Sequence, residues 1–223
     1  MSRAPCPLLQ LDSTKMLPLQ NQELIPTSNT IIGGTTAKFK DSWTYPSVYA
    51  ALPDHVSSGI HSITFTILSL KHLNYPNSSV SIGVVDSSCP FLKLDEAFGK
   101  MNSSGSIVFS SEGYVTSSSN WMRQSSSSYE RFKEGDCVRI EVNLSSCPST
   151  VSFFVNGAAG RCFGMNLPSS VIVAVSFFVA SSFQMCISDD TSSIRIDQIS
   201  QLSHPTPLPQ GMDSVQWLSN FDP

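Results

Sequence analysis

Charge is scarce in this chain. Of its 223 residues only 13% are charged, the formal net charge is −4, and no Lys/Arg stripe or basic run occurs. The electrostatic footprint of a nucleic-acid binder is therefore missing. The six cysteines (Cys6, Cys89, Cys137, Cys147, Cys162 and Cys186) never fall at C-x-x-C spacing, and no histidine sits at a zinc-ligand spacing from any of them. The opening MSRAPCPLLQ has prolines where a signal peptide needs an apolar block. A reducing compartment with free thiols and a cytoplasmic location are expected, with the sequons at Asn77, Asn102 and Asn143 left without sugar.

Catalytic motifs are also lacking. The histidines are His55, His61, His72 and His204, and none has a GxSxG-like context. His61 alternates onto the same side as Ile63, which reads as a hydrogen-bonded histidine near a core edge. The glycine-rich run Gly157 to Gly164 lacks the Gly-Lys-Ser/Thr end of a phosphate loop and reads as hairpin turn chemistry. Asp86, Asp95, Glu96, Asp189 and Asp190 show no EF-hand spacing and read as surface acids near turns. No enzyme, cofactor or metal site is expected. One uncharged run, Val171 to Ile187, reaches the short end of the ~17–25 residues that a spanning helix needs. It is rich in Val, Ile and Phe and is interrupted by Ala180-Ser181-Ser182, so two buried strands joined by a turn are expected instead of a membrane span. The abundant serines read as polar surface and loop filler.

What the chain does have is alternation. In Phe132–Gly157, FKEGDCVRIEVNLSSCPSTVSFFVNG, the apolar residues Val138, Ile140, Val142 and Leu144 alternate with Cys137, Arg139, Glu141 and Asn143. That period of two puts one face in a core and the other in water. Val151, Phe153 and Val155 give a second inward face, and Asn156-Gly157 supplies a hairpin turn. Upstream, Ile31-Ile32-Gly33-Gly34 reads as a strand and tight turn, Val48-Tyr49-Ala50 as a short strand, and Ile63, Phe65 and Ile67 as the buried side of another. Val80–Val84, Ser106–Ser110, Gly113–Val115, Val173–Ser176 and Phe183–Ile187 follow as strands, with Ile194 and Ile196 closing the domain. Pro5, Pro7 and Pro18 make residues 1–23 an extended leader. Pro205, Pro207 and Pro209 mark a tail over 197–223, whose Val215-Gln216-Trp217-Leu218 is positioned to fold back on the domain.

The Gly-Asp pair at 135–136, the alternating strand, the loop and the Phe-Phe strand ending in Asn-Gly resemble the signature of SPRY (B30.2-type) domains. SSGIHSITF resembles that family's "sGkHyWev", without its Trp or Tyr. Val80 to Val84 resembles its "iGva" strand, Gly113-Tyr114 its "Gy", Leu167-Pro168 its "lp", and Val173 to Ser176 its "PavS" without the leading Pro. The likeness runs over residues 24–196. It implies an all-β, two-sheet antiparallel sandwich of the lectin-like jelly-roll type. It also implies a non-enzymatic module that binds a peptide or folded protein, with a carbohydrate-binding lectin-like sandwich as the alternative. By segment, it places partner contacts on Tyr45 and Pro46, on Tyr75 and Ser78, on Phe98, and on Phe178 and Val179. An adaptor role is a further expectation of the resemblance; the likeness names no specific partner.

Overall fold

The computed structural model describes residues 15–16, 30–33, 36–39, 47–50, 55–70, 79–88, 106–117, 131–178 and 192–216. Every regular element among them is a strand: β1 Lys15–Met16, β2 Thr30–Gly33, β3 Thr36–Phe39, β4 Ser47–Ala50, β5 Ile60–Ser69, β6 Ser79–Asp86 and β7 Ser106–Ser110. They continue as β8 Val115–Ser117, β9 Cys137–Asn143, β10 Thr150–Val155, β11 Ala158–Met165, β12 Val171–Phe178, β13 Ser192–Leu202 and β14 Asp213–Gln216. No helix among the described residues is long and apolar enough to cross a membrane. Of the uncharged run Val171 to Ile187, the first part is β12, and residues 179–187 lie outside the described residues.

The strands form two sheets. The large one runs β14-β11-β10-β9-β5-β13-β3-β2, with β1 added on β13, and the small one runs β4-β12-β6-β7-β8. All pairings are antiparallel except β11 with β14. The organising hairpin pairs Thr150 with Asn143 and Val155 with Val138. The turn that follows, from β10 into β11, takes Asn156 and Gly157 at φ of 51° and 83°, the left-handed conformations that a tight two-residue hairpin turn of this kind requires.

Inward rows of both sheets make one apolar core. Ile63, Phe65, Val138, Ile140, Val142, Val151 and Phe153 of the large sheet meet Ile82, Val84, Ile107, Phe109, Val173 and Val175 of the small one. The Phe109 ring stands 5.3 Å from that of Phe132 and 5.4 Å from that of Phe153, in tilted aromatic contacts that join the layers. The run 157–164 is a turn only at its start, because Ala158 onward is strand β11. Its last glycine is there for room: a Cβ on Gly164 would lie 2.6 Å from Cδ1 of Ile107 and 2.7 Å from Cγ1 of Val151.

Two expectations change. The alternate face of β9 is not in water, since Cys137, Arg139, Glu141 and Asn143 are all buried, as are Ser152 and Phe154 on β10 beside them. Residues 203–212 lie against this outer face, joined to it through Thr206. The domain boundary expected at residue 196 falls inside β13, which runs unbroken to Leu202. From there the chain returns through β14, where Val215 is buried in the core. At the other terminus, Lys15 and Met16 pair with Gln201 and Ser200.

Candidate functional site

The sandwich has two ends, conveniently named by the termini of β12. At the Phe178 end, register brings three strand termini side by side. Phe177 is opposite Ser47, and Phe178 is opposite Ser79. The segments that end at Pro46 and Ser78 and begin at Val179 are therefore anchored at one corner of the small sheet. Tyr45, Pro46, Tyr75, Ser78, Phe98 and Val179 themselves lie outside the described residues. Phe178 closes β12, and its side chain is also outside them. The strand termini that flank the Phe98 segment, Asp86 and Ser106, stand at the opposite end, where Asp86 pairs with Val171 and Ser106 with Val85.

The frame under this corner is tightly bonded. Ser111 N–H donates to the Val80 carbonyl at 2.7 Å, and Val80 N–H donates to Ser111 Oγ at 3.1 Å. Gly113 N–H reaches the Ser110 carbonyl at 2.8 Å, closing the turn between β7 and β8. On the large sheet, Ile67 N–H donates to the Asp136 carbonyl and Gly135 N–H to the Ile67 carbonyl, at 2.9 and 2.8 Å. The buried Asp136 carboxylate accepts from Lys133 N–H at 2.8 Å and from Asn156 Nδ2 at 3.0 Å, while Asn156 Oδ1 accepts from Cys137 N–H at 2.9 Å. The two dipeptides that carry the SPRY resemblance, Gly135-Asp136 and Asn156-Gly157, thus meet in one network. Around them Arg131, Lys133 and Glu134 are exposed, an edge of mixed sign. A fixed frame with polar, charge-mixed edges is suited to carrying loops that recognise a partner.

No group of three His, Cys, Asp or Glu side chains able to hold a metal occurs among the described residues. His61 lies opposite Val142 on the inward side at the Val171 end, where its Nε2–H donates to the Ser58 carbonyl at 2.9 Å. That is the hydrogen-bonded, core-edge histidine its alternation indicates.

The sequence reading missed a polar centre on the outer face of the large sheet. Arg139 Nη1 donates to Glu141 Oε2 at 3.1 Å, and its guanidinium carbon stands 3.7 Å above the Phe154 ring centroid. Burial lowers the Arg139 pKa from its ordinary value, while the Glu141 charge and hydrogen bond oppose that shift. A signal for this cover was present: Phe154 puts a large apolar ring on the face that alternation assigns to solvent.

No protein-family model matches the chain, and no curated protein matches it in sequence. Solved structures match it in shape. The SPRY domain of human HERC1 superposes at a TM-score of 0.51 with 13% identity, over 86% of this chain and 100% of that one. This chain has the SPRY and lectin-like β-sandwich fold. The carbohydrate recognition domain of Emp46p, solved in a metal-free form, gives 0.50 with 9% identity, over 82% of this chain and 88% of that one. At these identities the likeness is one of fold, and the two neighbours stand equally far away.

Proposed function

We propose that this chain is a non-enzymatic recognition module that binds a peptide or folded protein through the loop segments at the Phe178 end of its sandwich. The observation that carries this reading is the register at that corner. Phe177 and Phe178 hold the strand termini Ser47 and Ser79 next to the end of β12, so three of the four segments implied by the SPRY resemblance share one anchorage. Aromatic and long apolar residues on such segments are the usual anchors of an interface. Tyr45, Tyr75 and Phe178 are the residues we assign to it, with Pro46, Ser78 and Val179 beside them. Phe98 joins the site only if its segment crosses the molecule from the Val171 end. We place the protein inside the cell, in a compartment that keeps thiols reduced; Cys147 carries an exposed free thiol. An adaptor role would follow from partner binding.

The second reading is carbohydrate binding, which draws on the equal likeness to the Emp46p carbohydrate recognition domain. Affinity capture on the immobilised chain, followed by titration of the recovered protein against wild type and Tyr75→Ala, tests the first reading. A glycan array run on the same preparation tests the second. A protein ligand that Tyr75→Ala loses supports the first reading; saccharide binding without a protein ligand replaces it.

A further inference from the structure

The segment 203–212 crosses the outer face of the large sheet, and among the described residues its hydrogen bonds to that face converge on one residue. Three hydrogen bonds join it to the sheet among the described residues, and all converge on Thr206. Its N–H donates to Glu141 Oε1 at 2.8 Å, its hydroxyl donates to Glu141 Oε2 at 2.5 Å, and its Oγ1 accepts from Arg139 Nη1 at 3.1 Å. Pro205, Pro207 and Pro209 have no N–H to add to the attachment. Beneath it lie Arg139, Glu141 and Phe154, all buried, with Arg139 Nε lacking an acceptor among the described residues. Thr206 is half-buried, between exposed Pro205 and Pro207.

We propose that Thr206 is a phosphorylation site, and that its modification releases the 203–212 strap from the sheet. A Thr-Pro step in an extended segment is the form that proline-directed kinases accept. A strap whose hydrogen bonds to the sheet all run through one mostly exposed stretch opens locally at small cost, which brings the hydroxyl out. In the transfer, Oγ1 forms a bond to the γ-phosphorus of a nucleoside triphosphate and the bond to the bridging oxygen breaks. The nucleoside diphosphate leaves with that electron pair, and the hydroxyl proton passes to the kinase base. The product cannot return to its seat. Its ester oxygen no longer donates to Glu141, and a group carrying about −1.5 to −2 charge would stand against that carboxylate. Arg139 offsets this only in part, because its charge is already shared with Glu141. Seating a dianion under the strap would also strip its water.

The test uses the full chain, a proline-directed Ser/Thr kinase and Mg-ATP, with phosphate located by mass spectrometry and strap opening read by hydrogen exchange at the Thr206 amide. The expected result is phosphate on Thr206 and exchange faster by about tenfold or more, the scale set by losing charge-assisted hydrogen bonds. Pro207→Ala should block uptake while leaving exchange in the unmodified strap unchanged. Glu141→Gln, once phosphorylated, should show a smaller acceleration than wild type, because the like charge is gone. Absence of phosphate at Thr206 overturns the site. Phosphate with unchanged exchange, or with slower exchange through capture by Arg139, overturns the release.

Discussion

Asn156 and Asp136, twenty residues apart, hold each other across the base of the organising hairpin: Asn156 Nδ2 donates to Asp136 Oδ1 at 3.0 Å. The same Asn156 accepts from the Cys137 amide, and the same Asp136 accepts from the Lys133 amide. The entry to β9 and the turn after β10 are thereby one bonded unit. Asp136→Ala should leave the Lys133 amide and Asn156 Nδ2 without their acceptor in a part-buried setting, at a cost of about 1–2 kcal/mol. A denaturation midpoint equal to wild type would show that this network does not hold the hairpin.

Gly164 leaves room for Ile107 of the facing sheet. Gly164→Ala should destabilise by about 1–3 kcal/mol through overpacking against Ile107 and Val151. Ile107→Val removes the nearest atom, so the double variant should be more stable than the sum of the two single effects predicts. Strict additivity in urea melts would place the strain elsewhere.

The hairpin was legible because Val138, Ile140, Val142, Val151 and Phe153 keep a period of two, and every one of them faces the core. The same rule misjudged the reverse face. Glu141 is covered by a segment 65 residues later, and alternation within a strand carries no information about a distant cover. Near the end of the domain the period breaks. Ile194, Ile196 and Ile199 all point inward because β13 shifts register between Ile196 and Gln198. The bulge residue, Asp197, takes hydrogen bonds from Thr66 and, at 2.6 Å, from Arg195. The glycines of β11 read as turn residues because a need for space between sheets looks the same in sequence as a need for positive φ. Of the site, the sequence indicated which segments to examine, and strand register supplied their common anchorage.

Phe154 points away from the core yet behaves as an interior residue. It is 1% exposed and lies under the Arg139 guanidinium. Phe154→Ala should cost about 3 kcal/mol or more, in the range of a core aromatic. It should also loosen the strap, speeding exchange at the Thr206 amide. A loss below about 0.5 kcal/mol, ordinary for a surface position, would show that the outer face is not a second packed layer.

The proposal that this sandwich recognises a protein through its Phe178 end is tested most directly by site-specific photocrosslinking. A photoreactive phenylalanine analogue is placed at Tyr75, in the segment that leads into β6 at that end, and in a second preparation at the exposed Ser146 of the opposite end. The account predicts a discrete crosslinked polypeptide from position 75 and none from position 146. Crosslinks from position 146 with none from position 75 would contradict it.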